Sequence, residues 1–124
     1  MSYAIVWEKR GTCVAYTGTV CFKEFMAAVL TIHRHPDYPT FKYAIHDMGR
    51  VTEFDFSDVN MTQLLAQELG ARYTNPNIRA CVVTDSDVMD QLVKEFSART
   101  NLNVGLLQSM EEARDWSESA LLGV

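Results

Sequence analysis

Tyr3-Ala-Ile-Val-Trp7, Glu8-Lys-Arg-Gly11 and Thr12-Cys-Val-Ala-Tyr-Thr17 together form the stretch that decides the fold. Two runs rich in β-branched and aromatic residues flank a short polar joint. A parallel crossover needs a dozen or more residues, so this joint closes an antiparallel hairpin. After Gly18 the period changes. Phe22, Phe25, Met26, Val29 and Ile32 recur at three and four, which is one face of a helix. His35-Pro36-Asp37-Tyr38-Pro39 stops it, because proline lacks the amide donor and restricts the residue before it.

Downstream, strands and helices alternate. Residues 41–47 read as a third strand, and Ser57 as the N-cap of a helix carrying Met61, Leu64, Leu65, Leu69 and Tyr73 on one side. Asn75-Pro76-Asn77 is a turn. Ala80-Cys-Val-Val83 is uniformly apolar, as expected of a central strand buried on both faces. Thr84 to Asp87 caps a helix with Val88, Leu92, Val93 and Phe96 inward. Val104 to Leu107 is a fifth strand. Ser109-Met-Glu-Glu112 is a capping box opening a last helix, with Met110, Ala113, Trp116 and Ala120 toward the core. The order is ββαβαβαβα. The expected fold class is α/β: a single domain over residues 1–124, with a mixed, mostly parallel five-stranded sheet and four helices. Its strands are expected near 3–8, 12–18, 41–47, 79–84 and 103–107.

The bulk composition excludes several functions. The 124 residues suffice for one core without disulfide or metal support. Eleven basic against sixteen acidic side chains give a net charge of −5, so no nucleic-acid partner is expected. No apolar run approaches the roughly 20 residues needed to span a bilayer, so no membrane insertion is expected. Cys13, Cys21 and Cys81 show no CxxC spacing, and Cys13 and Cys81 lie in apolar runs as small hydrophobes. The odd cysteine count and an N-terminal stretch too soon charged for a secretory leader imply a cytoplasmic protein.

Asp47 ends the third strand and Thr84 follows the fourth, as in a phospho-acceptor receiver domain. That fold needs a helix between the first two strands and a lysine after the fifth, where Gln108 stands. His33, His35 and His46 could suggest a metal. Residues two apart on a helix point to different sides, so structural histidines near a helix terminus fit better and no metal or other cofactor is expected. The acidic loops could hold Mg²⁺ through one or two carboxylates, though a solvated acidic face explains them more simply. Cys21 at a helix start could have an activated thiol; packing under the sheet is the plainer role. Tyr73 and Trp116 read as core or dimer-interface residues. Gly-x-Ser-x-Gly and glycine-rich phosphate loops are absent, so no enzyme is expected.

The ββαβαβαβα order, with Ala44-Ile-His-Asp47, Asp55-Phe-Ser-Asp58 and Glu111-Glu-Ala-Arg-Asp-Trp116, resembles the STAS domain, the anti-sigma-factor-antagonist fold. It is most similar to small stand-alone STAS-like bacterial proteins, over essentially the whole chain. The resemblance implies that Asp55-Phe56-Ser57-Asp58 matches the Asp-Ser-Ser/Thr-Gly stretch of that family, which places Ser57 as phospho-acceptor. Phe56 departs from a small polar residue there and Asp58 from a glycine. Asp58 also sets a negative charge beside any phosphate.

These readings combine into one expectation: a non-catalytic regulatory or protein-interaction module, switched at Ser57, with a protein partner. Asp47, Asp55, Asp58, Thr84 and Asp85 would form an acidic partner-binding rim around Ser57, where strand ends meet ligands in open α/β sheets. An edge strand suggests a homodimer. The alternative is a small apolar-ligand or lipid carrier related to CRAL-TRIO proteins, which a dry cavity of roughly 300 Å³ or more would indicate.

Overall fold

The structure, a computed structural model, describes residues 2–102 and 104–121, apart from the side chains of residues 120 and 121. Its strands are β1 (Tyr3–Trp7), β2 (Gly11–Cys21), β3 (Tyr43–Asp55), β4 (Arg79–Val83) and β5 (Gly105–Leu107). The helices are α1 (Phe22–His33), α2 (Met61–Ala71), α3 (Asp87–Thr100) and α4 (Met110–Leu121), with a 3₁₀ turn at Tyr38–Thr40. The expected ββαβαβαβα order is the observed one, and the strands lie in the sheet in sequence order. β1 is antiparallel to β2, and the remaining pairs are parallel.

The hairpin closes where Glu8 N–H donates to the Gly11 carbonyl at 2.8 Å. Glycine is required here by space: a Cβ at residue 11 would lie 2.6 Å from the Tyr43 ring and from the Tyr43 carbonyl. From β2 onward the chain steps one strand at a time in one direction. Right-handed crossovers therefore place α1, α2 and α3 on one face. There Phe25, Met26, Val29 and Ile32 of α1 join Leu64 of α2 and Met89, Leu92, Val93 and Phe96 of α3 in one core. α4 returns across the other face, burying Ala113 against Cys13, Ile45, Cys81 and Val83. After Arg79, β4 is thus apolar from Ala80 to Val83 because it is covered on both sides.

Several expected details change. β2 and β3 run on to Cys21 and Asp55, so the acidic stretch after Asp47 is strand and not loop. Residues 17–21 pair with 50–55 beyond the end of β4, with register shifts between Ala15 and Thr17 and between Gly18 and Thr19. Gly18 has φ +69°, which only a residue without Cβ adopts freely. Val51 and Phe54 pack on the core while the charged neighbours face solvent, so this segment has strand chemistry with one wet side.

Ser57 is not the cap of α2. The helix begins later, and Asn60 accepts from the Gln63 amide at 3.0 Å as the N-cap. Leu69, within α2, is 45% exposed; Tyr73 is 93% exposed, because α2 ends at Ala71 and helical spacing does not extend to it. Tyr73 is therefore not a core residue. In α3 the buried set is Met89, Leu92, Val93 and Phe96, a better i, i+3, i+4, i+7 stripe than one starting at Val88, which is exposed. Ser86 caps this helix by accepting from the Val88 amide. Ser109 accepts from the Glu112 amide at 3.1 Å, as the capping box requires. Residue 103, in the fifth expected strand, and the side chain of Ala120 lie outside the described residues.

Candidate functional site

The long β3 divides the expected rim. Asp47 stands opposite Val83, at the end of β4, while Asp55 lies eight residues further along. At about 3.3 Å per residue this is roughly 25 Å of strand. Asp47 shares the α4 face of β3 with Tyr43 and Ile45, and its Oδ1 accepts from the Gly49 amide at 3.0 Å. Asp55, Ser57 and Asp58 form a second group at the far end of β3. Thr84 and Asp85 form a third, at the ends of β4 and β5.

The Asp55–Asp58 turn is held from both sides. The Cys21–Asp55 register sets the residues after β3 beside the first turn of α1. α1 has no cap of its own, since Cys21 makes no side-chain cap bond. Asp58 supplies one: its Oδ1 and Oδ2 each accept, at 3.2 Å, from the amides of Phe22 and Lys23. A carboxylate here also answers the positive end of the helix. Phe56 turns inward, with ring centroids 5.9 Å from Phe22, 6.2 Å from Phe25 and 6.1 Å from Phe54. The two departures from the family pattern are thus an anchor and a cap. Between them Ser57 is exposed, and its hydroxyl donates to Asp55 Oδ1 at 2.8 Å.

At the ends of β4 and β5, a polar concavity of about 280 Å³ is lined by Thr84, Asp85, Ser86, Asp87, Asp90 and Gln108, among others. Thr84 is buried; its amide donates to the Leu107 carbonyl and its Oγ1 accepts from the Ser86 amide at 3.0 Å. Asp87 and Asp90 occupy the first turn of α3, where the helix dipole favours acids. Asp90 is also paired to Lys94 at 2.8 Å. These acids serve the helix start, and neither Asp47 nor Ser57 lines the concavity.

Two polar clusters were not anticipated. Under α1 and α2, buried His46 Nδ1 lies 2.8 Å from the Tyr16 hydroxyl. His33 Nδ1 lies 2.9 Å from Gln67 Nε2, and its Nε2 is 3.6 Å from Glu68 Oε1. Burial pulls both histidines down to about 4 and pushes the Glu68 carboxyl up to about 7, the latter against the pull of Arg72. The adjoining apolar cavity, lined among others by Phe25, His46, Leu64 and Glu68, is about 50 Å³. On the other face Arg114 grips Glu8 with both nitrogens, at 2.6 and 2.8 Å, and the Tyr43 hydroxyl donates to the same carboxylate. The Arg114 bonds draw the Glu8 carboxyl below its ordinary range. This clamp ties the β1 end of the hairpin to α4. The bonded pairs join residues 30 or more apart in sequence, so no local motif announces either cluster.

No family model matches the sequence, and no curated protein matches it. Solved structures do. The anti-sigma factor antagonist SpoIIAA in its unphosphorylated form matches with a TM-score of 0.62 at 12% identity, covering 94% of this chain and 97% of that one. The phosphorylated form of SpoIIAA, a Bacillus cell fate determinant, matches at 0.59 and 13% identity over 91% and 96%. An uncharacterised protein from Shewanella loihica, of the DUF3478 family with a SpoIIAA-like fold, matches at 0.52 and 8% identity over 92% and 90%. At such identities the likeness is one of fold: the chain has the STAS-like α/β fold of SpoIIAA, and in it β2 and β3 run on past β4 into an arm that carries the Asp55–Asp58 turn.

Proposed function

We propose that this protein is a non-catalytic regulatory module that meets a protein partner through the Asp55–Asp58 turn and is switched by phosphorylation of Ser57. The observation that carries the reading is an exposed serine hydroxyl between β3 and α2, on a fold shared with a protein known in phosphorylated and unphosphorylated forms. A phosphate adds nearly two negative charges. Beside Asp55 and Asp58 that charge is repelled, and the cap that Asp58 places on α1 is the contact it would loosen. The switch then acts by freeing the turn.

In the unmodified state, the exposed carboxylates of Asp55 and Asp58 suit a basic partner surface, with binding that weakens as salt rises. Asp47, Thr84 and Asp85 lie apart from this turn and contribute through a second contact, if the partner is large. We place the protein in the cytoplasm; among the described residues no helix is long and apolar enough to cross a membrane. The lipid-carrier alternative has no support: the cavity beneath α2 is about 50 Å³, well short of the roughly 300 Å³ such a role requires.

Affinity capture from the cells that make the protein tests the switch. Wild type, Ser57→Ala and Ser57→Asp are compared as baits. Ser57→Ala is expected to retain the wild-type partner and Ser57→Asp to lose it. Identical capture by all three contradicts the proposal.

A further inference from the structure

We infer that the free edge of β1 pairs with β1 of a second copy, in antiparallel register about Ile5, to form a two-fold dimer with one continuous sheet. The parity of the hairpin ladder carries this. Thr17 N–H donates to the Ser2 carbonyl and Glu8 N–H to the Gly11 carbonyl, and both pairs belong to the register that sets Tyr3 opposite Tyr16. Residues 2, 4, 6 and 8 therefore direct their main-chain groups at β2. Tyr3, Ile5 and Trp7 direct theirs away from it. β1 has β2 as its one neighbour in the sheet, and these outward groups have no hydrogen-bond partner among the described residues.

Edges are ordinarily protected by a charge, a proline or a bulge. Tyr3-Ala-Ile-Val-Trp7 has none of these. Its exposed side chains are apolar: Val6 is 55% exposed and Ala4 is exposed beside it on the face α4 leaves open.

A second copy fits better than an unrelated strand because the stretch is complementary to itself. Centred on Ile5, the pairing sets Tyr3 against Trp7 of the second copy and makes about six main-chain hydrogen bonds. On the opposite face, small Ala4 meets branched Val6. No like charges come together, since residues 3–7 carry none. The flanking groups are already engaged: Glu8 with Arg114, and Ser2 with Glu24. The two-fold arrangement closes on itself, so it stops at a dimer. This surface lies on a different strand from the Ser57 turn, and the inference does not depend on that reading.

Sedimentation of the full chain up to about 500 µM tests the dimer, since an interface this small is expected to dissociate in the micromolar range. Amide exchange measured over the same concentrations tests the register. Protection should rise with concentration at Tyr3, Ile5 and Trp7 and stay constant at Ala4 and Val6. Ile5→Pro removes an outward donor without touching the β1–β2 ladder, a place where edge strands tolerate proline. Val6→Lys adds the missing charge. Each should weaken dimerisation at least about tenfold while circular dichroism and thermal melting stay cooperative. Val88→Lys, at an exposed position on α3, should leave it unchanged. A monomer at every concentration overturns the inference. So does a dimer indifferent to both edge variants, or one weakened equally by Val88→Lys.

Discussion

Replacing Asp58 by alanine should unfasten the β3–α2 turn from α1 at a measurable cost. Two amides of the first turn of α1, those of Phe22 and Lys23, find their acceptors on this one side chain, and Cys21 supplies none. Loss of a side-chain cap typically costs about 1 kcal/mol, and up to about 2. Loss of the negative charge at a helix start adds about 0.3–1 kcal/mol. Both bonds are 3.2 Å long and the carboxylate is exposed, which argues for the lower part of that combined range. The expected loss is about 1–1.5 kcal/mol, or a fall in Tm of about 3–6 °C for a chain of this size. Asp58→Asn keeps one of the two acceptor oxygens and loses the charge, so its stability should fall between those of wild type and Asp58→Ala. Urea denaturation gives the stability, and amide exchange at Phe22 and Lys23 localises it. An alanine variant within about 0.3 kcal/mol of wild type, with unchanged exchange at Phe22, would refute the capping argument.

Other consequences follow from the same geometry. Asn60→Ala should cost about 1 kcal/mol in denaturant unfolding, whereas Ser57→Ala should cost almost nothing, because Asn60 and not Ser57 caps α2; equal effects would reverse that assignment. Gly11→Ala should destabilise by about 2 kcal/mol or more, as the added methyl group meets the Tyr43 ring and carbonyl at 2.6 Å, and a thermal melt near that of wild type would count against this packing. Stability should also depend on pH through the buried cluster. His33 and His46, held down to about 4 from an ordinary 6.5, contribute fully above pH 6.5 and progressively less as pH falls toward 4. Glu68, raised to about 7 from 4.5, contributes fully below pH 4.5 and loses that contribution as pH rises through 7. Glu68→Gln should therefore gain about 2 kcal/mol relative to wild type between about pH 5 and pH 8 in urea titrations, and no relative gain would mean that Glu68 is not desolvated as described.

The parts of the fold that are legible in sequence are those set by local chemistry. A joint from Glu8 to Gly11 allows a hairpin and nothing else, and the α1 stripe from Phe22 to Ile32 is buried as its spacing requires. Ser109 and Glu112 declare a helix start within four residues. What sequence hides is decided by partners far along the chain. Residues 48–55 look like an acidic loop until β2 is seen to pair with them beyond the end of β4. Asp58 looks like a misplaced charge until the start of α1, thirty-six residues away, is brought against it. Glu8 and Arg114 are separated by 106 residues, so their clamp has no sequence signature at all. The candidate turn was thus found by its local pattern, and its mechanical attachment only by the fold. Tyr73 shows the converse error, in which helical spacing is carried past the end of the helix.

The proposed switch rests on Ser57. The direct measurement is phosphopeptide mass spectrometry of the protein isolated from the cells that make it, together with a Ser57→Ala control. A phosphorylated population assigned to Ser57 and absent in the control is expected, with faster amide exchange at Phe22 and Lys23 in the modified fraction. Ser57 unmodified under every growth condition, or modified with α1 exchange unchanged, would contradict it.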